Sequence, residues 1–115
     1  MILDADALYA LFVRDSPGHW ATFGRVELAD ERFAVSPFTV AAVAHMVRER
    51  MGVEAVVLTL GELAGGAWEI AEVDPDHLAA IAARLADDPD STVEQTSAQL
   101  LAEDRDDELL STHHG

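Results

Sequence analysis

Two cap-plus-proline pairs, Ser36-Pro37 and Asp74-Pro75, constrain the fold of this chain most strongly. In each pair a side chain that can cap a helix precedes a proline, whose fixed φ suits the first helical position and whose missing N–H costs nothing there. A strand candidate comes before each pair, at residues 33–35 and 68–73. The chain is therefore predicted to pass twice from a strand directly into a helix.

The same alternation extends along the sequence. Residues 2–3 form a first apolar run, and residues 109–112 are predicted to form a short last strand after an acidic turn. Helices are predicted after Asp4, from Pro37 to Gly52, over residues 54–64, from Pro75 to Asp87 and from Ser91 onward, and the mixed stretch at residues 19–30 is a further helix candidate. Alternating strands and helices are typical of an α/β fold, with a parallel sheet covered on both faces and right-handed crossovers.

Apolar residues at helical spacing indicate which helix faces pack together. In the helix after Asp74-Pro75, an inward stripe is predicted at Leu78, Ile81, Ala82 and Leu85. In the last helix, the predicted inward residues are Val93, Ser97, Leu100 and Leu101. In the helix over residues 54–64, Val57, Leu60 and Ala64 share a face.

Length and composition favour one domain. The 115 residues are half apolar, which suffices for a single core, so residues 1–115 are predicted to be one domain. The absence of cysteine excludes disulfides and thiolate catalysis. No basic N-terminal segment precedes an apolar run, and no apolar stretch reaches the roughly 20 residues of a membrane span. A soluble cytoplasmic protein is expected.

The charge is strongly one-sided, because 22 acidic residues stand against seven arginines and no lysine, for a formal net charge of −15. Proteins that bind RNA or DNA gain affinity by neutralising phosphates with Lys and Arg, so this composition disfavours autonomous nucleic-acid binding. Divalent cations or a basic partner would change the local field. The simplest alternative is that the acidic residues keep the domain soluble.

Polar residues follow three of the predicted strands. Asp4 follows the first, Ser36 the second and His113 the last. Ligand sites of open parallel sheets form beyond the carboxyl ends of the strands. The sequence therefore predicts a site at this edge.

The order of these segments resembles the PIN-domain family, in particular its VapC toxin type. The resemblance is carried by four segments: residues 1–8, Val35-Ser36-Pro37-Phe38 with the apolar helix behind it, Val93-Glu94, and Ser111-Thr112-His113. It covers essentially the whole chain. It implies a PIN-like three-layer α/β/α sandwich with a short parallel central sheet.

The resemblance also implies a metal site, in which about four carboxylates hold one or two Mg²⁺ or Mn²⁺ ions that activate water and neutralise a scissile phosphodiester. By position, Asp4 matches the first acid and Glu94 the third, so these two are the candidate catalytic residues. The second position falls on Ala42, which cannot bind a metal. The fourth falls on His113, a poorer ligand for Mg²⁺ but a reasonable one for Mn²⁺ or Zn²⁺. The candidate metal ligands are therefore Asp4, Glu94 and His113.

Each candidate also has a structural interpretation. Asp4 can be the N-cap of the first helix, and Ser91-x-x-Glu94 can be a capping box. His113 lies near the C-terminus, where side chains are usually solvated. His45, three residues after Ala42, is a candidate substitute ligand, and the direction of the first helix is expected to turn Asp6 away from Asp4.

Two functions fit these observations, beside an unrelated α/β binding domain. One is an interaction module with an eroded metal site, bound to an antitoxin-like or basic protein partner or forming a homodimer. The alternative is an active Mg²⁺- or Mn²⁺-dependent ribonuclease of a toxin-antitoxin system, which would bind RNA. Trp20, Phe23 and Trp68 are expected to pack in or beside the core, with a self-association patch as the alternative.

Overall fold

The computed structural model describes residues 1–29 and 32–111, in which the chain forms four short strands and six helices. The strands are β1 (Ile2–Leu3), β2 (Phe33–Val35), β3 (Trp68–Ile70) and β4 (Leu109–Leu110). The helices are α1 (Ala5–Phe12), α2 (His19–Leu28), α3 (Pro37–Met51), α4 (Val53–Ala64), α5 (Pro75–Asp87) and α6 (Val93–Asp104).

The strands form one sheet in the order β3-β2-β1-β4, and each neighbouring pair is parallel. Ile2 of β1 is in register with Ala34 of β2 on one side and with Leu109 of β4 on the other. The carboxyl ends of the strands therefore lie at one edge, as the sequence predicted. Asp4, Ser36 and Ser111 directly follow three of the strands there.

Alternate strand residues divide the core between the two faces of the sheet. Leu3, Val35 and Leu110 belong to a cluster completed by side chains of α1, α3 and α4. Ile2, Ala34 and Ala71 belong to a second cluster completed by α6, and α5 packs against α6. Helices thus cover both faces, which confirms the three-layer α/β/α sandwich.

Both cap-plus-proline starts are confirmed. Ser36 Oγ accepts from the Phe38 N–H at 3.1 Å, and an Asp74 carboxylate oxygen accepts from the His77 N–H at 2.8 Å. The last helix differs from the prediction, because its cap is Thr92, whose Oγ1 accepts from the Gln95 N–H at 3.2 Å. The predicted Ser91–Glu94 capping box is therefore wrong.

Several predicted bounds also change. Regular pairing in β3 stops at Ile70 rather than at residue 73. The final helix runs on to Asp104, into the stretch predicted as an acidic turn. Gly52 joins α3 to α4 with a φ of +91°, a conformation that favours glycine. No helix in residues 1–29 and 32–111 is long and apolar enough to cross a membrane.

Some apolar residues predicted to be buried are exposed. Trp20 is 66% exposed, because the buried face of α2 carries His19 and Thr22 instead. Leu78 is half exposed, because α5 turns His77 and Ile81 inward, and Val93 is exposed as well. Trp68 does pack at the edge of the core, with ring centroids 6.3 Å from Phe12 and 5.6 Å from Phe33.

Candidate functional site

Asp4 stands at the carboxyl end of the central strand β1. It is buried, and one carboxylate oxygen accepts from the Ala7 N–H at 2.9 Å, so it caps α1. Its backbone N–H donates to the Leu110 carbonyl at 3.2 Å, which fixes it against β4. The structural interpretation of Asp4 as an N-cap is therefore confirmed, and its carboxylate also lines a cleft.

Three acidic residues line that cleft, which has a volume of about 90 Å³. Asp4 lines it at the N-cap of α1, Asp6 in the first turn of α1 and Glu94 in the first turn of α6, with Met46 of α3 beside them. Asp6 was expected to point elsewhere, but α1 turns it toward the same opening. The structure thus brings the predicted Asp4 and Glu94 to one place.

A larger cleft of about 410 Å³ opens next to the first one, between α3 and α6. Met46 and Glu94 line both clefts, and Ala42 and His45 line the larger one. Position 42, where the family resemblance implies a glutamate, therefore faces this opening with the methyl group of Ala42. His45 lies exposed at the rim, with Nε2 3.9 Å from a Glu49 carboxylate oxygen.

The described residues do not fit a divalent metal ion. Mg²⁺ and Mn²⁺ require about six ligands, mainly oxygens. No group of three or more His, Asp or Glu side chains within residues 1–29 and 32–111 is arranged to hold such an ion. One oxygen of Asp4 already accepts a backbone N–H. His113, the third predicted ligand, lies outside the described residues.

Sequence reasoning missed a buried hydrogen-bond chain that crosses three elements. Ser97 Oγ of α6 lies 2.7 Å from Ser36 Oγ and 2.8 Å from His77 Nε2 of α5. Both serines are fully buried and His77 is nearly so. The sequence did contain a signal that His77 is buried, because Asp74-Pro75 places His77 at the third position of α5, on the same face as Ile81.

A pair of hydrogen-bonded serine and histidine side chains can serve nucleophilic catalysis. Here the Ser97 and Ser36 hydroxyls are sealed from solvent, so no substrate can approach them. Their effect is structural, because the chain links the first turns of α3 and α5 to the middle of α6.

Two ion pairs involve residues that line neither cleft. Arg105 donates two hydrogen bonds to the Glu69 carboxylate of β3, at 3.0 and 2.7 Å, and these bonds lower the pKa of Glu69. The pKa of Asp107 is lowered mainly by its hydrogen bond with the α-amino group of Met1, at 2.8 Å. These contacts tie the segment after α6 to the amino-terminal strand and to β3.

No family model matches the sequence. Ribonuclease VapC26 of Mycobacterium tuberculosis is 42% identical over 71 residues, which are 62% of this chain and 53% of that protein. The chain thus spans about half the length of this relative. The crystal structure of Mycobacterium tuberculosis VapC20, a sarcin-ricin loop cleaving toxin, matches with a TM-score of 0.88 at 11% identity, over 97% of this chain and 88% of that one.

The parallel sheet, its helical layers and the carboxyl-edge cleft have the architecture of a PIN domain. The sequence similarity to VapC26 agrees with this fold. The chain is thus similar in sequence to one VapC ribonuclease and in fold to another VapC toxin, in agreement with the resemblance to VapC-type PIN domains that its segment order suggested.

Proposed function

We propose that this chain is a VapC-like PIN protein whose metal site is eroded and which acts as a protein-interaction module. The proposal rests first on Ala42, which faces the cleft at the position where the resemblance implies a metal-binding glutamate. Without that carboxylate, Asp4 and Glu94 offer too few oxygens and too little negative charge to hold a hard divalent ion.

The overall charge supports the same proposal. At a formal net charge of −15 the protein repels the phosphate backbone of RNA, and seven arginines are its whole supply of fixed positive charge. The acidic surface favours a basic segment of another protein, of the kind an antitoxin-like partner would supply. Self-association as a homodimer is the second form of interaction that we consider.

An active Mg²⁺- or Mn²⁺-dependent ribonuclease remains the competing function. Two observations favour it: the VapC26 relative is named a ribonuclease, and Asp4, Asp6 and Glu94 line one cleft. In that case the carboxylates would have to gather around an ion that the described arrangement does not fit.

The variant Asp4→Asn separates these functions, because asparagine caps a helix as well as aspartate but lacks the negative charge. The matched control is Asp74→Asn, the same change at the cap of α5, outside the two acidic clefts. We expect calorimetry with Mn²⁺ to show no saturable binding and fluorescent RNA to remain intact with all three proteins. Mn²⁺-dependent cleavage that Asp4→Asn abolishes and Asp74→Asn preserves would establish the ribonuclease instead.

A further inference from the structure

A cavity of about 180 Å³ lies between the start of α2 and the end of β4, and we call it the α2 cavity. Its lining includes the N-cap of α2, three residues within that helix and two at the end of the strand: Gly18, Ala21, Thr22, Arg25, Leu110 and Ser111. None of these residues lines the two acidic clefts. The volume is below the roughly 300–1,000 Å³ of sites for drug-sized ligands, so it suits a ligand of a few heavy atoms.

Thr22 brings a buried hydroxyl to this cavity. The residue is 1% exposed, and its Oγ1 has no hydrogen-bond partner in residues 1–29 and 32–111. Leaving a buried hydroxyl unpaired is unfavourable. Threonine populates two χ1 rotamers in a helix, so rotation can present the Thr22 hydroxyl to a ligand in the cavity. A ligand that accepts a hydrogen bond there would remove the penalty.

The first turn of α2 adds backbone donors. Gly18 supplies no side-chain cap, and this turn contains no acidic residue. The His19 N–H donates to the Ser16 carbonyl at 3.1 Å, whereas the N–H groups of Trp20 and Ala21 have no acceptor in the part of the chain that the structure describes. N–H groups at a helix start carry partial positive charge and favour an anion.

Arg25 places a full positive charge at the same cavity and is the one charged residue of the described lining. Its side chain is half exposed and donates a hydrogen bond to the Glu108 carboxylate. A guanidinium has five N–H donors, so Arg25 can hold a second acceptor while it keeps this contact. Glu108 offsets part of the positive charge, so we expect modest affinity for an anion.

We infer that the α2 cavity binds one phosphate group, either of inorganic phosphate or of a small phosphate monoester. Its oxygens would accept hydrogen bonds from the Thr22 hydroxyl, the first-turn N–H groups and Arg25. Phosphate is favoured over a carboxylate, because three kinds of donor need more acceptor oxygens than the two of a carboxylate. The inference does not rest on the proposed function, since a net charge of −15 disfavours a long RNA backbone more than it disfavours a single phosphate group.

Titration of isotopically labelled protein with inorganic phosphate tests the inference. The ionic strength is held constant with sodium chloride, and the amide signals of residues 18–22 report binding. A parallel titration uses phenyl phosphate. Tighter binding of phenyl phosphate would identify a monoester as the preferred ligand, whereas equal binding would show that the phosphate group alone is recognised.

We expect saturable shifts at residues 18–22 with phosphate and none with chloride. Thr22→Val keeps the shape of the side chain and should weaken binding by about threefold or more, and Arg25→Gln should weaken it by about tenfold or more. The matched controls are Thr39→Val, at another buried hydroxyl that has no partner among the described residues, and Arg84→Gln, at another arginine paired with a glutamate. Both controls lie outside the α2 cavity and should bind phosphate as the wild type does.

Thermal unfolding of each variant separates lost binding from lost structure. Thr22→Val should be at least as stable as the wild type in the absence of phosphate, because it removes an unpaired buried hydroxyl. Three results would overturn the inference: chloride shifts equal to those with phosphate, equal phosphate affinities of Thr22→Val and Thr39→Val, or equal phosphate affinities of Arg25→Gln and Arg84→Gln.

Discussion

Ser97 Oγ lies 2.8 Å from His77 Nε2, and this contact fastens α5 to α6 inside the protein. Because Ser97 also contacts Ser36 at 2.7 Å, removing its hydroxyl leaves two buried polar groups without that partner. We expect Ser97→Ala to lower the free energy of unfolding by about 1–3 kcal/mol in urea titration. Gln99→Ala, at an exposed position of the same helix, is the control and should change stability by less than about 0.5 kcal/mol.

Asp4 should contribute to stability through its cap. Replacement by Ala removes the acceptor for the Ala7 N–H, and we expect it to cost about 1 kcal/mol, whereas Asn should preserve most of the stability. Thermal unfolding of the two variants side by side makes this comparison. A large loss with Asn as well would show that the negative charge of Asp4, rather than its cap, stabilises the fold.

Thr39 carries a buried hydroxyl that has no hydrogen-bond partner in the described part of the chain. Thr39→Val replaces this hydroxyl by a methyl group of similar size, so we expect a gain of about 1 kcal/mol in the free energy of unfolding. The matched control is Thr59→Val, because Thr59 Oγ1 donates to the Ala55 carbonyl at 2.9 Å and that bond would be lost. A gain at Thr59 equal to that at Thr39 would contradict this explanation.

Acid should weaken the contacts of Glu69 and Asp107. Both have pKa values lowered by the folded state, so their contributions are present above the unfolded pKa of about 4 and are lost as the pH falls through the lower folded values. Arg105→Gln removes the main cause for Glu69 and a lesser one for Asp107. In urea titrations at pH 7 and pH 3, the variant should lose less stability on acidification than the wild type, by under about 1 kcal/mol because Glu69 is partly exposed.

If the alanine at position 42 is what disabled the metal site, a carboxylate at that position should restore affinity for the metal. Ala42→Glu would add an acidic side chain to the cleft that Glu94 also lines. We expect calorimetry to show saturable Mn²⁺ binding by this variant, at least about tenfold tighter than the weakest binding that the method detects, and none by the wild type. The control Ala79→Glu adds the same charge at an exposed position of α5 and should leave Mn²⁺ affinity unchanged.

The fold could be predicted well from the sequence because the residues that begin helices and strands act over short distances along the chain. Ser36-Pro37 and Asp74-Pro75 determine helix starts through atoms only two or three residues away, and the apolar runs before them supply the strands. Ser91 is the exception. Its hydroxyl contacts Thr96 Oγ1 at 3.0 Å, so Thr92 takes the capping position one residue later.

The candidate site was less predictable because it depends on contacts across the fold. Asp4 and Glu94 could be placed together from strand order, but the orientation of Asp6 depends on how α1 rotates against the sheet. His77 was missed because its partner, Ser97, lies twenty residues away along the chain. The apolar pattern of α4 likewise cannot tell a core-facing stripe from the solvent-facing one that Val57 and Leu60 form.

The position of β1 in the sheet has a consequence for synthesis of the protein. Ile2 pairs with Ala34 on one side, but its other partner, Leu109, belongs to the last of the four strands to be synthesised. Until then the growing chain presents one open edge of its central strand, where it can pair with a neighbouring nascent chain. Because β4 is made after the other three strands, the pairing of β1 with β4 is a late step in folding. Molecular chaperones that shield β1 until then would raise the yield of native protein.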